Sequence, residues 1–126
     1  MQGLAGPTVQ RWFTPAFFAA EPALMANVAK MITNTSMTGY EACVSAICGL
    51  DLIDAISGIH VPTGFVAGAQ DGAASVADMQ AMADRVAGSR LAVFDPCGHI
   101  SSLEQPARLA SELADIVARA QARDKP

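Results

Sequence analysis

The second half of the chain alternates between short apolar runs and stretches with apolar residues at helical spacing. Residues 63–67 and residues 90–95 have the length and character of buried β-strands. A helical pattern follows each run; its positions are Val76, Met79, Ala83 and Val86 in the first case and Leu109, Leu113, Ile116 and Val117 in the second. This order of strand, helix, strand, helix predicts two parallel strands joined by a right-handed crossover, with helices on the sheet faces.

The first half shows helical patterns and turns but no strand. Glu21-Pro22 marks the start of one helix, and residues 34–36 end it because their side chains compete for backbone hydrogen bonds. Thr38 and Glu41 have the spacing of a capping box, so they predict the start of the next helix. The predicted apolar stripe of that helix is Tyr40, Cys43, Val44 and Ile47.

These patterns divide the chain into two segments. Residues 1–56 form a helical segment, and residues 57–126 form the strand–helix–strand–helix segment, with a frayed polar end from Ala122 to Pro126. Two parallel strands are too few for a stable sheet, and each leaves an edge of unpaired backbone groups. Further strands are therefore expected from another source.

Composition narrows the class of protein. The chain has 126 residues, of which 52% are hydrophobic and only 16% charged, so disorder is not expected. Such an apolar fraction in a small domain indicates an oligomer or a piece of something larger. The net charge of −4 argues against a nucleic-acid surface, which would need clustered Lys and Arg. No apolar run reaches the roughly 20 residues that span a bilayer, and residues 1–7 lack a secretory signal, so the cytoplasm is the default compartment.

The cysteine count argues against a disulfide framework and against a metal site. Cys43, Cys48 and Cys97 are an odd number of thiols without a secretion signal. Cys97 and His99 have no C-x-x-C partner pair elsewhere in the chain, so no metal is expected. We interpret the three thiols as buried and unreactive.

Two polar residues follow the predicted strands. Asp71 comes after the strand at residues 63–67, and His99 comes after the strand at residues 90–95. In a parallel sheet both side chains can reach one cleft at the carboxyl ends of the strands. A carboxylate held against an imidazole makes a general base for a hydroxyl or thiol nucleophile. The alternative is that Asp71 forms a turn and that His99 has a structural role.

Two other polar residues are poorer candidates. His60 precedes the first strand, at the wrong end of the sheet for catalysis, and is expected in a surface loop. Asp95 is followed by proline and is expected to form a turn.

The sequence around Asp71 and His99 resembles two segments of the α/β-hydrolase superfamily. Residues 62–71, Pro-Thr-Gly-Phe-Val-Ala-Gly-Ala-Gln-Asp, resemble the P-T-x-x-x-x-G-x-x-D segment, and residues 98–106 resemble the G-H-x-x-x-x-E-x-P segment. The resemblance implies that Asp71 is the acid and His99 the base of a Ser-His-Asp triad. It also implies a partial α/β-hydrolase fold, in which a helical cap precedes the last two parallel strands and their helices.

The first half resembles the cap of one subfamily. Residues 11–17, residues 39–43 and Asp51-Leu52 look like the helical cap of 3-oxoadipate enol-lactonases. That resemblance implies hydrolysis of a five-membered enol-lactone, a small-molecule ester, to 3-oxoadipate in the breakdown of aromatic compounds, with no cofactor. Caps of this family fold over the pocket, so Trp12 and Phe13 are candidates for substrate contact. The alternative is that both rings belong to the core of the cap.

The nucleophile of the family is not found. Its serine lies on a G-x-S-x-G elbow upstream of the acid and base, and flanking glycines at that spacing are lacking at Ser57, Ser75, Ser89, Ser101 and Ser102. One hypothesis is a truncated or split lactonase whose acid and base serve a serine on another chain, such as a complementing N-terminal fragment. A second is a non-catalytic remnant that binds or oligomerises, and a third is an unrelated small α/β binding domain. We expect negligible activity from the chain alone and association into a dimer or larger species.

Overall fold

The computed structural model describes residues 1–123 and places helices before, between and after two strands. The elements are α1 (Gln2–Trp12), α2 (Pro15–Ala20), α3 (Pro22–Thr33), α4 (Met37–Cys48), a 3-10 helix (Ala55–Gly58), β1 (Gly64–Gly68), α5 (Val76–Ala83), β2 (Arg90–Phe94), α6 (Ser101–Glu104) and α7 (Pro106–Arg123). The predicted order of strand, helix, strand, helix is confirmed, with the short α6 added before the last helix. Helix α7 continues through Arg123, so the frayed end predicted from Ala122 is wrong for Ala122 and Arg123; the rest of that prediction lies outside the described residues.

Strands β1 and β2 pair in parallel, as the sequence pattern predicts. Their register runs from Gly64 opposite Arg90 to Gly68 opposite Phe94. Each strand has one edge that pairs with no other strand among residues 1–123. The crossover helix α5 covers one face of the sheet and begins with a capping box, in which Ser75 and Asp78 exchange hydrogen bonds.

The interior of the strand–helix–strand–helix segment is apolar and shielded from solvent. Ala67, Ala83, Val86 and Phe94 are buried. Helix α7 packs so closely on the start of β1 that a Cβ atom at Gly64 would lie 2.6 Å from the Cδ1 atom of Ile116. These contacts fix the two strands, and therefore fix the directions in which their carboxyl ends point.

The helical segment has its own small core. Val9 of α1, Met25 of α3 and Phe13 are buried together. Helix α1 was not predicted, because it contains Pro7, which has no backbone amide and usually ends a helix. The helix forms despite Pro7, with its buried residues Ala5 and Val9 on one face.

Helix α4 differs from the prediction in its cap and in its burial. Its N-cap is Ser36, whose hydroxyl accepts from the amide of Gly39 at 3.3 Å, so the capping box expected at Thr38 and Glu41 is wrong. The predicted apolar stripe is exposed: Ile47 is 65% exposed, and Tyr40 and Val44 are exposed as well. The pattern correctly indicates a helix with an apolar face, but no part of residues 1–123 covers that face.

The cysteines are only partly as expected. Cys97 is buried, whereas Cys43 and Cys48 are exposed on α4. The prediction of three buried thiols is therefore wrong for Cys43 and Cys48, which lie on a helix that no part of residues 1–123 covers. None of the helices within residues 1–123 is long and apolar enough to cross a membrane.

Candidate active site

Asp71 and His99 meet where the two strands end. The acid loop (residues 69–74) follows β1, and the base loop (residues 95–100) follows β2. An Oδ2 atom of Asp71 lies 2.8 Å from the Nδ1 atom of His99. The loops are also joined through their backbones, because the amide of Gln70 donates to the carbonyl of Cys97 at 2.9 Å. The sheet register thus brings both residues to one point, as the positions of the strands suggest.

The carboxylate of Asp71 is enclosed and uses both of its oxygens. Its side chain is only 6% exposed, and its Oδ1 atom accepts from the amides of Ala73 at 2.7 Å and Ala74 at 3.2 Å. Burial alone raises the pKa of Asp71, but the hydrogen bonds from His99, Ala73 and Ala74 and the attraction of His99 outweigh it and hold the pKa below its ordinary value. Asp71 is therefore suited to remain ionised beside the imidazole.

The imidazole of His99 is fixed on one side and open on the other. Its side chain is 36% exposed, and its Nε2 atom has no hydrogen-bond partner within residues 1–123. Its backbone amide donates to the carbonyl of Trp12 at 2.7 Å. The Trp12 ring lies beside the imidazole, with 6.1 Å between centroids. A proton on Nδ1, facing Asp71, leaves Nε2 as a free acceptor.

Two glycines permit the loops to approach this closely. A Cβ atom at Gly68 would overlap the carbonyl oxygen of Gly98. A Cβ atom at Gly98 would lie 2.6 Å from the carbonyl oxygen of Trp12. Any other residue at either position would push the acid loop, the base loop and the end of α1 apart.

Glu104 also lies at the candidate site, although its place in the sequence predicted no contact for it. Its carboxylate accepts from the amide of Thr14 through Oε1 and from the amide of Gly98 through Oε2, both at 2.6 Å. The signal for it was present in the sequence, as the glutamate of the G-H-x-x-x-x-E-x-P segment, but that spacing does not reveal which amides it binds.

Trp12 and Phe13, the candidates for substrate contact, occupy different environments. Trp12 lines a cavity of about 200 Å³ whose wall also includes Arg11, Leu4, Ile32 and Tyr40. Phe13 is 3% exposed, packs against Val9 and Met25, and stacks on Phe17 with 5.7 Å between ring centroids. The structure thus brings Trp12 to the Asp71–His99 pair and places Phe13 in the core of the helical segment.

Other polar residues lie apart from the pair. His60 is exposed, at the opposite end of β1, and Asp95 is exposed in the bend after β2. Within residues 1–123, no three His, Cys, Asp or Glu side chains form a group that could hold a metal ion.

Comparisons with known proteins by sequence and by structure indicate the same class of protein. No family model matches the chain. In sequence it is 33% identical over 103 residues to 3-oxoadipate enol-lactonase 2 of Acinetobacter baylyi (strain ATCC 33305 / BD413 / ADP1), covering 82% of this chain and 38% of that protein. It is 25% identical over 114 residues to 3-oxoadipate enol-lactonase 1 of the same organism, covering 90% of this chain and 42% of the relative.

The solved structures agree. The enol-lactonase of Burkholderia xenovorans LB400 superposes with a TM-score of 0.90 at 30% identity, covering 94% of this chain and 45% of the other. A hydrolase of Pseudomonas aeruginosa PA01 superposes with a TM-score of 0.86 at 25% identity, covering 93% of this chain and 44% of the other. The chain thus spans less than half the length of the proteins that it matches.

These likenesses define the class of protein. The chain has the α/β-hydrolase fold over the C-terminal part of that fold, with the helical segment placed before the last two parallel strands. Within this superfamily, its sequence and structure resemble the 3-oxoadipate enol-lactonases.

Proposed function

We propose that Asp71 and His99 are the acid and base of a Ser-His-Asp triad that hydrolyses a carboxylic ester or lactone, and that the serine comes from polypeptide outside these 126 residues. One observation carries the proposal. His99 is held through Nδ1 by an enclosed carboxylate at 2.8 Å, while its Nε2 atom is open to a reactant. This is the arrangement that a general base for a hydroxyl nucleophile requires.

The chemistry follows from the two ends of the imidazole. Nε2 takes the proton of the serine hydroxyl as its oxygen attacks the substrate carbonyl carbon. Asp71 stays ionised and stabilises the imidazolium that forms. The imidazolium then gives the proton to the departing alcohol or enol oxygen, and the same cycle with water releases the acid. The donors for the oxyanion belong with the serine, outside this chain.

We further propose that the substrate is a small enol-lactone. The support is the resemblance to proteins named 3-oxoadipate enol-lactonase and the position of the Trp12 ring beside the imidazole of His99. In this proposal residues 1–56 are the lid over the pocket, and Trp12 is the lid residue that contacts substrate. We also propose the cytoplasm as its location, because three cysteines, an odd number, do not suit the disulfide framework of a secreted domain.

Two surfaces support the idea that a further polypeptide completes the fold. Each strand has an unpaired edge within residues 1–123. The apolar residues that follow the middle of α4 are open to solvent, with exposures of 65% for Ile47, 60% for Leu50 and 56% for Leu52. Both features are typical of surfaces that another chain covers.

The same surfaces favour a second candidate function. A non-catalytic module that associates through this apolar surface would also keep Asp71 and His99 in place, since the hydrogen bonds of Asp71 to Ala73 and Ala74 organise the loop. The two functions differ in whether a serine delivered to Nε2 gives turnover.

The test is complementation. The chain is assayed for ester and enol-lactone hydrolysis alone, and then together with the part of the Acinetobacter enol-lactonase that precedes its cap and carries G-x-S-x-G. We expect negligible activity alone and measurable activity in the mixture. His99→Ala should lower the restored kcat by about 10³-fold or more, Asp71→Ala should lower it as well, and His60→Ala, an exposed histidine at the far end of β1, should have no effect.

Two results would overturn the proposal. One is turnover in the mixture that survives His99→Ala. The other is a soluble, stable complex of the two parts that remains inactive, which would favour the non-catalytic module.

A further inference from the structure

One carboxylate joins the base loop to the start of the lid. Glu104 ends α6, just after the base loop, and its two oxygens accept from the amide of Gly98 and from the amide of Thr14, both at 2.6 Å. Gly98 immediately precedes His99, and Thr14 is the N-cap of α2. Glu104 therefore bonds to the backbone on each side of the junction between the two segments.

The same two stretches of backbone also bond directly to each other. The carbonyl of Trp12 accepts from the amide of His99 at 2.7 Å and from that of Ile100 at 3.3 Å. A Cβ atom at Gly98 would lie 3.1 Å from the Cα atom of Phe13, so the two backbones are in contact. Residues 12–14 and residues 98–100 are thus joined twice, directly through their backbones and through the carboxylate of Glu104.

A carboxylate is the group that this position requires. Two amides converge on it, and an ionised carboxylate can accept from both, with bonds that are stronger than those to a neutral acceptor. A glutamine would present one oxygen and one NH₂ group, so one of the two amides would face another donor. The same carboxylate lies near the buried thiol of Cys97, whose pKa is raised to about 11 by burial first and then by Glu104.

We propose that Glu104 is a positioning residue, which sets the bond between His99 and Asp71 by holding the base loop against residues 12–14 of the lid. The consequence is that lid position and base geometry change together. This inference takes two names from the proposed function, base for His99 and lid for residues 1–56, but the bond itself can be measured without turnover.

The experiment measures that bond in the 126-residue chain by NMR. The readouts are the hydrogen-bonded Nδ1 proton of His99 and the titration of the Asp71 carboxyl carbon, with thermal unfolding recorded in parallel. In Glu104→Gln we expect loss or broadening of the Nδ1 proton signal and a rise of the Asp71 pKa toward its ordinary value, because the bond from His99 helps to lower it. Glu112→Gln makes the same chemical change on α7 and should leave both readouts unchanged.

A further variant removes a hydrogen-bond partner of Glu104 and leaves Glu104 itself unchanged. Thr14→Pro deletes the amide that donates to Oε1. The backbone accepts it, since Thr14 has φ −63° and ψ 148° and Phe13 is extended, as the residue before proline prefers. Thr14→Ala is the matched control, because it removes the hydroxyl that accepts from the Phe17 amide but keeps the amide of residue 14.

The outcomes separate positioning from stability. We expect Thr14→Pro to weaken the Nδ1 proton signal and Thr14→Ala to leave it in place. If Glu104→Gln lowers the melting temperature but leaves the Nδ1 proton and the Asp71 titration as in the wild type, Glu104 is only structural and the inference is wrong. If Glu104→Gln does not fold, Thr14→Pro decides: equal signals in Thr14→Pro and Thr14→Ala would overturn it. A failed complementation assay would leave these results intact.

Discussion

Asp71 holds His99 with one carboxylate oxygen and its own loop with the other. Oδ2 lies 2.8 Å from Nδ1 of His99, while Oδ1 accepts from the amides of Ala73 and Ala74. The acid therefore keeps its orientation without any contribution from the imidazole. A change of charge at Asp71 should consequently affect the pair before it affects the fold of the loop.

Because Oδ2 of Asp71 binds His99, we predict that Asp71→Asn has a lower free energy of unfolding than the wild type. The size of this difference should depend on pH. The folded-state pKa of Asp71 lies below its ordinary value of 3.8, so its stabilising contribution is present above that value and is lost as the pH falls through the folded-state pKa. The variant should lower the free energy of unfolding by about 1 kcal/mol near neutral pH, since His99 is partly exposed. Urea unfolding at about pH 6 and about pH 3 measures it, and the difference should shrink at the lower pH.

The control for that experiment is Asp54→Asn, an exposed carboxylate before the 3-10 helix. In Asp71→Asn the amide oxygen of the introduced side chain can still accept from the amides of Ala73 and Ala74, so the loop is preserved. A deficit in Asp71→Asn that is equally large at both pH values would show that the charge of Asp71 is not what stabilises the pair.

The three thiols should react at different rates. Cys43 and Cys48 are exposed on α4, whereas Cys97 is buried and its pKa is raised to about 11, first by burial and then by the carboxylate of Glu104. Because the thiolate is the reactive form, a maleimide at mildly alkaline pH should add quickly to two thiols and slowly to the third. Mass spectrometry of the labelled chain, with peptide mapping, counts the additions. All three should label in urea; rapid labelling of Cys97 without urea would contradict its burial.

The close approach of the loops predicts a large effect for Gly98→Ala. The new methyl group would lie 2.6 Å from the carbonyl oxygen of Trp12, so the base loop and the end of α1 must separate. We expect a loss of about 2 kcal/mol or more in the free energy of unfolding. Gly3→Ala is the matched control, because a Cβ atom there meets nothing within 4 Å. Equal melting temperatures for the wild type and Gly98→Ala would disprove the close contact.

The exposed apolar residues predict association of the chain when it is studied by itself. Light scattering after size exclusion should show a dimer or larger species. Ile47→Glu combined with Leu52→Glu should increase the monomer fraction, since these side chains are 65% and 56% exposed. Val61→Glu, at an exposed residue before β1, serves as the control. A monodisperse monomer of the unchanged chain would be incompatible with this prediction.

The sequence was sufficient for the sheet and for the meeting of Asp71 with His99. Parallel neighbours end at the same edge, so two polar residues placed just after two such strands must lie close together. Strand β1 lies one residue later than predicted, β2 ends one residue earlier, and α5 ends at Ala83, before the Val86 that its pattern included. Turn geometry, which periodicity does not encode, accounts for these differences.

What the sequence did not reveal depends on contacts between distant parts of the chain. The partner of Glu104 at Thr14 is a backbone amide 90 positions away, and backbone amides leave no trace in side-chain patterns. The exposure of the apolar stripe of α4 could not be predicted for a related reason. A hydrophobic stripe indicates that a helix face is suited to burial, but it does not show which part of the chain, or which partner, covers that face.

The two loops that carry Asp71 and His99 differ from the helical segment, residues 1–56, in the length of chain that must close when each forms its contacts. The pair is separated by only 28 positions and is enclosed in one β–α–β unit, so the entropy lost in bringing acid and base together is that of a short loop. Docking of Trp12 on the base loop instead closes most of the chain. We therefore expect the Asp71–His99 pair to form early, from a contiguous stretch of polypeptide, and residues 1–56 to dock on it afterwards.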